Sequence, residues 1–463
     1  MRHLWIFACV ILSGCATYQP APIDPARLAQ RFDERTLSDG ALHRYLERQL
    51  GHAVQPWPPT RWSREMLTFV ADYYSPALAL ARAQWASARA AATAAGARPN
   101  PVLQFPFEYT TNHEGAGQPY TTGPTFDITV ETAHKRDYRI DQSGYLAEAA
   151  RLNLVNAAWK VRSQVRDALL GVFSGKEHMA IMTRKVDLQQ QIVDMLRRRA
   201  SVGEAAAPDV DRAEFLHGQA QAERSVAQRA LLDAQARLAS ALGMPSKALD
   251  AIRIDFDEFR RIGAAPPPAA ARRTAIFHRA DLLGALAEYA ASQSALQLEI
   301  ARQYPDIHIG LGYTYDVGAN KVGLGLAGVT LPLFDRNRSA IAQAEAKRSE
   351  TAARVAALQD GMINDLEHAL AGYRADGDAL QLSASHLATA ERQLDSQTAH
   401  FAAGAADRLA LTQAQADYQA GAIDYLNRLT ALQQAAGALD DAMQQALPAG
   451  GAPVYMPQQG TSK

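Results

Sequence analysis

The apolar positions of this chain change period in a fixed order, and the order occurs twice. From about Ser75 to Ala97 the pattern is helical, and it stops at Arg98-Pro99-Asn100-Pro101. Proline cannot continue a helix and pushes its predecessor to extended geometry. The period then falls to two: Leu103, Phe105, Phe107 and Tyr109 share one face, as do Phe126, Ile128 and Val130. A second helical stretch, about Asp281 to Gln303, stops at Tyr304-Pro305. It is followed by Ile307, Ile309, Leu311, Tyr313 and Tyr315, and then by Val322, Leu324 and Leu326. This alternation predicts four strands in two hairpins, with loops near Thr110–Thr122 and Asp316–Lys321. Each hairpin leads into a long helical stretch, about Asp137–Ser201 and Arg338–Ala403, or roughly 95 Å at the helical rise per residue. Gly203 and Gly404 break these stretches, and return helices run to about Leu242 and Leu447.

The two halves align on subtraction. Lys135 matches Arg336 and Gly203 matches Gly404, each pair 201 residues apart. The last four members of the series Val165, Val172, Met179, Val186, Val193 are answered 201 residues on by Tyr373, Leu380, Leu387 and Leu394, and that series continues to Phe401. On the return helices, Leu411, Tyr418, Tyr425, Leu432 and Leu439 stand where the first half has Val210, His217, Arg224, Leu231 and Leu238. A spacing of seven sustained this long predicts coiled-coil-like packing, and the repetition predicts an internal duplication.

The flanks are read by composition. Arg2 and His3, the apolar run Leu4–Leu12 and Ser13-Gly14-Cys15 form a secretory leader too short to span a membrane as a helix. Leu12-Ser13-Gly14-Cys15 resembles a bacterial lipobox, which implies cleavage after residue 14 and a lipidated Cys15. The alternative is an ordinary signal peptide with an incidental cysteine. Cys9 lies within the leader, so the mature chain has one thiol and no internal disulfide. Ala16 in place of an aspartate favours sorting to the outer membrane. The predicted organisation is a leader (1–14), an extended N-terminal segment (15–61), a first repeat (62–243), a linker with Pro266-Pro267-Pro268 (244–275), a second repeat (276–447) and a tail (448–463). With 463 residues, 21% charged and a net charge of −1, the chain gives no reason to expect nucleic acid.

The strands argue for a pore. Segments of about nine residues, apolar on one face and polar on the other, suit a tilted span through an outer membrane. Open edges cannot face lipid, since unpaired backbone groups find no water there. Four strands are too few to close a barrel, and two copies would give a barrel filled by side chains. Three copies leave room for passage. The chain as a whole resembles the TolC-type outer-membrane efflux family: lipobox, helix, proline stop, hairpin, long helix, glycine turn and return helix, repeated once. The resemblance implies a mainly α fold with a small transmembrane β portion, and a homotrimer with a twelve-stranded barrel and a twelve-helix periplasmic tunnel. It also implies an outer-membrane location in contact with lipid, a periplasmic adaptor protein and an inner-membrane efflux pump of the RND type as partners, no cofactor and no enzymatic activity. Ala95-Gly96-Ala97-Arg98-Pro99-Asn100-Pro101 and Glu131-Thr132-Ala133-His134-Lys135-Arg136 are similar to segments of the heavy-metal branch. There the second usually reads Glu-Leu-Gly-Gly-Lys-Arg, so Thr132, Ala133 and His134 depart from it.

The resemblance places the channel's constriction at the helical tips, Arg199–Asp211 and Phe401–Gln415. Gly404 followed by Leu411-Thr412-Gln413-Ala414-Gln415 is similar to a family pattern ending in Leu-Leu-Asp-Ala-Gln, with Gln413 in place of the aspartate. Leu409, Gln413 and Asp407 are the constriction candidates, and Glu204, Asp209 and Asp211 the further acidic tip residues. A plain helix-capping role competes for the acids, above all for Asp209 after Pro208. If Asp407 faced the pore, threefold symmetry would make a cation-favouring ring. The histidines show no three- or four-residue pairing and no cysteine remains beyond Cys15, so no closed metal site is expected. His308 is expected on the lumen side by alternation. The competing functions are a type I protein-secretion channel, which would share the fold, and a periplasmic structural coiled-coil lipoprotein, which would leave the strands unexplained. Divalent metal ions and drugs are the two candidate cargoes.

Overall fold

The computed structural model describes residues 16–446 except 113, 116 and 251. Cys15 and Leu447 lie outside the described residues, as do the leader and tail. Two helical hairpins form the shaft. In the first, α5 (Lys135–Ser201) runs out and α6 (Ala207–Leu242) returns; in the second, α9 (Arg338–Ala402) and α10 (Arg408–Met443) do the same. The 67 residues of α5 span about 100 Å. Two shorter helices, α4 (Pro76–Ala95) and α8 (Ala280–Ala301), pack beside α5, and α8 also contacts α9. Ser75 caps α4 by accepting from the Leu78 amide, and Pro76 occupies its first turn, where a missing N–H costs nothing.

Sequence periodicity located these helices to within a few residues, but the seam of α6 has another register. Of Val210, His217, Arg224, Leu231 and Leu238, only Leu238 is buried. The sustained contact is made by Ala213, Ala220, Ala227 and Ala234, all buried and seven residues apart. Alanine lets two helices approach closely, and Gly171 and Gly175 of α5 face Ala234 and Leu231 across that contact. In the second hairpin the larger Leu411, Tyr418, Tyr425, Leu432 and Leu439 are buried as the pattern predicts.

The N-terminal segment is not extended throughout. It contains α1 (Pro25–Asp33) and α2 (Gly40–Leu50), followed by α3 (Arg64–Tyr74). Asp24 and Asp39 cap the first two, and Leu42 and Leu46 anchor α2 in the core. The linker is a built element. Trp62 is buried and its backbone brackets Arg253 and Asp255 at 2.8 and 3.0 Å. Phe173 of α5 packs between Phe256 and Phe259. Gln433 of α10 donates to the carbonyls of Phe259 and Arg261. Together with α7 (Pro268–His278), this belt clasps the shaft around its waist.

At the far end lies one antiparallel sheet. The first hairpin is broken into β1 (Val102–Gln104), β2 (Phe107–Tyr109), β3 (Tyr120–Thr122) and β4 (Thr125–Val130). Pro106 and Pro124, which have no N–H to give a ladder, interrupt its two arms. The register nevertheless runs through both breaks, with Tyr109 opposite Tyr120 and Val102 opposite Asp127. In the same way β3 and β4 pair along β5 (Ile307–Asp316), from Thr121 opposite Asp316 to Val130 opposite Ile307. β6 (Ala319–Val329) pairs with β5 across the two-residue turn Val317-Gly318, both at positive φ. The sheet stays open: among the described residues the outer edges of β1–β2 and of β6 pair with nothing.

Candidate functional site

Register sorts the sheet's side chains into two unlike faces. Leu103, Phe126, Leu311 and Leu324 lie in one cross-strand row, and Ile128, Ile309 and Leu326 in the next. This apolar face is bare: Val322, Leu324 and Leu326 are 79, 74 and 67% exposed. Near the loops it turns aromatic, with Tyr120 ringed by Phe107 at 6.0 Å and Tyr315 at 5.2 Å. Such a belt suits the boundary between lipid and water. The opposite face carries Asp127, Thr129, His308, Asp316 and Lys321, with Gly310 and Gly312 opposite Gly325 and Gly323. His308 lies on this polar face. Its Nδ1 is 3.2 Å from Asp127 and 3.4 Å from Thr129 Oγ1.

Below the sheet, a charged collar joins strands to helices. Lys135 donates to Asp306 Oδ1 (2.7 Å) and to the Tyr304 carbonyl (2.6 Å). Arg139 makes a two-pronged pair with Glu131 at 2.6 and 3.1 Å and also donates to the carbonyls of Ala95 and Ala97. Arg136 donates to the Gly96 carbonyl. The two segments that resemble the heavy-metal branch therefore touch, and Arg136 and Arg139 bind the end of α4 that the proline stop leaves unsatisfied. Ala133 and His134 both adopt left-handed backbone, at φ 54° and 60°. Glycine does this without cost, which explains the Gly-Gly of the related pattern.

The other end of the molecule is the pair of helical tips. Gly203 (φ 80°) and Gly404 (φ 72°) close them with the same geometry. The amide after each glycine, Glu204 or Ala405, bonds back to Arg199 or His400 at 2.8 Å. Asp407 is the N-cap of α10, accepting from the Ala410 amide at 2.7 Å, and it also accepts from Arg199 at 2.7 Å. The Ala410 amide first, and then Arg199, hold its carboxyl below the usual carboxylate range. Its charge is thus already engaged inside one protomer. Leu409 is half-buried against Ile192, Val193 and Ala213, in its own protomer's tip. Gln413 is exposed while Leu411, Thr412 and Ala414 around it are buried. Glu204, Asp209 and Asp211 are exposed. Asp209 lies in the first turn of α6, whose cap position is Ala206 without a side-chain bond, so Asp209 answers the helix dipole and not a cap. Sequence reasoning missed Arg199, whose partner is 208 residues away.

Among the described residues no group of three or more His, Cys, Asp or Glu is arranged to hold a metal, and no helix is long and apolar enough to cross a membrane. The strands of β5 and β6, ten and eleven residues long, have the length for a tilted span. An open-edged sheet with one bare apolar face, set on a duplicated helical shaft, defines an outer-membrane channel subunit. The sequence matches the outer membrane efflux protein family over residues 72–244 and 272–444, and the chain belongs to that family. It is 27% identical over 349 residues to the cobalt-zinc-cadmium resistance protein CzcC of Cupriavidus metallidurans, covering 74% of this chain and 80% of that one. It is 24% identical over 331 residues to the pyoverdine export outer membrane protein OpmQ of Pseudomonas putida, covering 64% and 69%. Its fold is like that of the outer membrane protein VceC of Vibrio cholerae. The TM-score is 0.67 at 18% identity, over 83% of this chain and 97% of that one.

Proposed function

We propose that three copies of this chain form the outer-membrane duct of a tripartite efflux system, through which solute delivered by an inner-membrane pump and a periplasmic adaptor leaves the cell. The carrying observation is the sheet. Among the described residues nothing covers its apolar face, and its two bare edges, β1–β2 and β6, need strands that only sister copies supply. With each broken arm (β1–β2, β3–β4) counted as one strand beside β5 and β6, three sheets of four make a ring wide enough for passage, lined by the polar face. The α5–α6 and α9–α10 hairpins continue that ring into the periplasm, with 1–14 as the leader, Cys15 as the lipid anchor and 244–275 as the girdle between repeats. The channel itself transforms nothing; a pump of the RND type supplies the drive. Divalent transition-metal ions are the favoured cargo, on the likeness to CzcC and on the collar segments of the first repeat. The likeness to OpmQ supports small organic compounds as the second reading.

Two experiments test this. Mature protein extracted from outer-membrane fractions in mild detergent runs as a trimer by native mass spectrometry. A monomer that needs no detergent defeats the duct reading. A strain lacking the gene becomes sensitive to cobalt, zinc, cadmium or copper; sensitivity to drugs alone moves the cargo to the second reading. For the anchor, labelled palmitate is incorporated by the wild type and not by Cys15→Ser.

A further inference from the structure

We propose that His308 is a contact point for transition-metal cations in transit through the barrel, held in its metal-accepting form by Asp127. This rests on the duct reading above. Asp127 and His308 sit diagonally across β4 and β5 on the polar face, the face that a closed barrel turns to its lumen. The Nδ1 of His308 is 3.2 Å from each carboxylate oxygen of Asp127. An ionised carboxylate only accepts, so Nδ1 carries the proton of that bond. The neutral ring then keeps its lone pair on Nε2, for which the structure shows no partner among the described residues. A carboxylate fixing one ring nitrogen while the other stays open is the arrangement that orients a metal-binding imidazole.

The surroundings leave that nitrogen reachable. His308 is only partly covered, with 33% of its side chain exposed. The next residue on its side of β5 is Gly310, opposite Gly325, and the side chains beside that glycine are Asp127 of β4 and the small Ala327 of β6. The collar cations that line the same hollow as His308 are committed: Lys135 to Asp306, Arg139 to Glu131 and Arg302 to Glu299. An arriving cation therefore meets no unpaired positive charge from these residues. One imidazole per protomer cannot make a closed site, and tight binding would stop transport. A single weak ligand, tripled around the ring, slows and sorts soft cations while letting them leave.

The test is potassium current through purified trimers in planar bilayers, with zinc chloride or magnesium chloride added. Zinc at millimolar levels reduces the wild-type current, and magnesium, a hard cation with little affinity for imidazole, does not. His308→Ala removes the zinc effect and keeps the current. His308→Gln, which preserves a donor toward Asp127, behaves like alanine. Asp127→Asn shifts the zinc response about tenfold to higher concentration. Equal zinc responses in wild type and His308→Ala overturn the proposal while leaving the duct intact. A wild type that forms no conducting trimer overturns the duct reading, and this inference with it.

Discussion

Arg199 Nη2 lies 2.7 Å from Asp407 Oδ2, so a single ion pair ties the tip of the first repeat to the tip of the second. Both side chains are solvent-exposed, so the tie is weak and screened by salt. Asp407 does two tasks at once, since its other oxygen caps α10 at Ala410. Arg199→Ala therefore loosens the junction and spares the cap, whereas Asp407→Ala loses both. Hydrogen exchange at 408–411 is expected to accelerate modestly in the first variant and more in the second. High salt should reproduce only the first effect.

The same pair fixes a pH dependence. The folded carboxyl of Asp407 titrates below its unfolded value, so its stabilising contribution is fully present above about pH 4 and fades as pH falls through the folded value. Tip exchange, corrected for intrinsic rates, should be flat between pH 5 and 7 and rise only in more acidic solution. A rise between pH 7 and 5 would point to some other group.

Leu409 and Gln413 separate packing from lining. Leu409→Ala opens space beside Ile192, Val193 and Ala213 and is expected to cost about 1–2 kcal/mol of local stability, less than a fully buried leucine. Gln413→Ala removes an exposed group and should leave stability unchanged. If these residues form the constriction, both variants alter single-channel conductance; an unchanged conductance in both removes the constriction from this turn.

At the waist, Gly437 lies under the Arg166 guanidinium, where an added Cβ would fall 2.6 Å from its central carbon. Arg166 is buried and bonded to Asp441 at 2.8 Å, so it cannot simply swing away. Gly437→Ala should lower stability by about 1–3 kcal/mol despite the better helix propensity of alanine. Gly421→Ala, on the same helix with only ordinary contacts at 3.6 Å and beyond, should be neutral or stabilising. Thermal melts of the two variants decide it.

Ala133→Gly should stabilise the collar by about 1 kcal/mol, because the left-handed backbone at φ 54° penalises a Cβ. On the sheet, Leu324→Arg places a charge on the apolar face at a cost of about 2–4 kcal/mol near the bilayer centre, and should deplete outer-membrane trimer. Gly323→Arg points to the other face and should leave assembly intact while changing conductance. Reversed outcomes would mean that the two faces have been exchanged.

The sequence by itself determined everything that depends on neighbours along the chain. Period two against period seven, the proline stops at Pro99 and Pro305, and the turn glycines Gly203 and Gly404 are local constraints, and a duplicated chain states each of them twice. The face on which His308 stands was legible for the same reason, since alternation in a strand is local. Tertiary structure alone decided the rest. That Ala213, Ala220, Ala227 and Ala234 form the seam of α6 depends on how near α5 can come, and alanine carries too weak a hydrophobic signal to announce it. The helices α1 and α2 hide among prolines and polar residues because their stability comes from caps and from Leu42 and Leu46 in a distant core. Arg199 with Asp407, and Asp127 with His308, are joined by folding across about two hundred residues. An ion pair or hydrogen bond is chosen by distance in space, which periodicity along a chain does not encode.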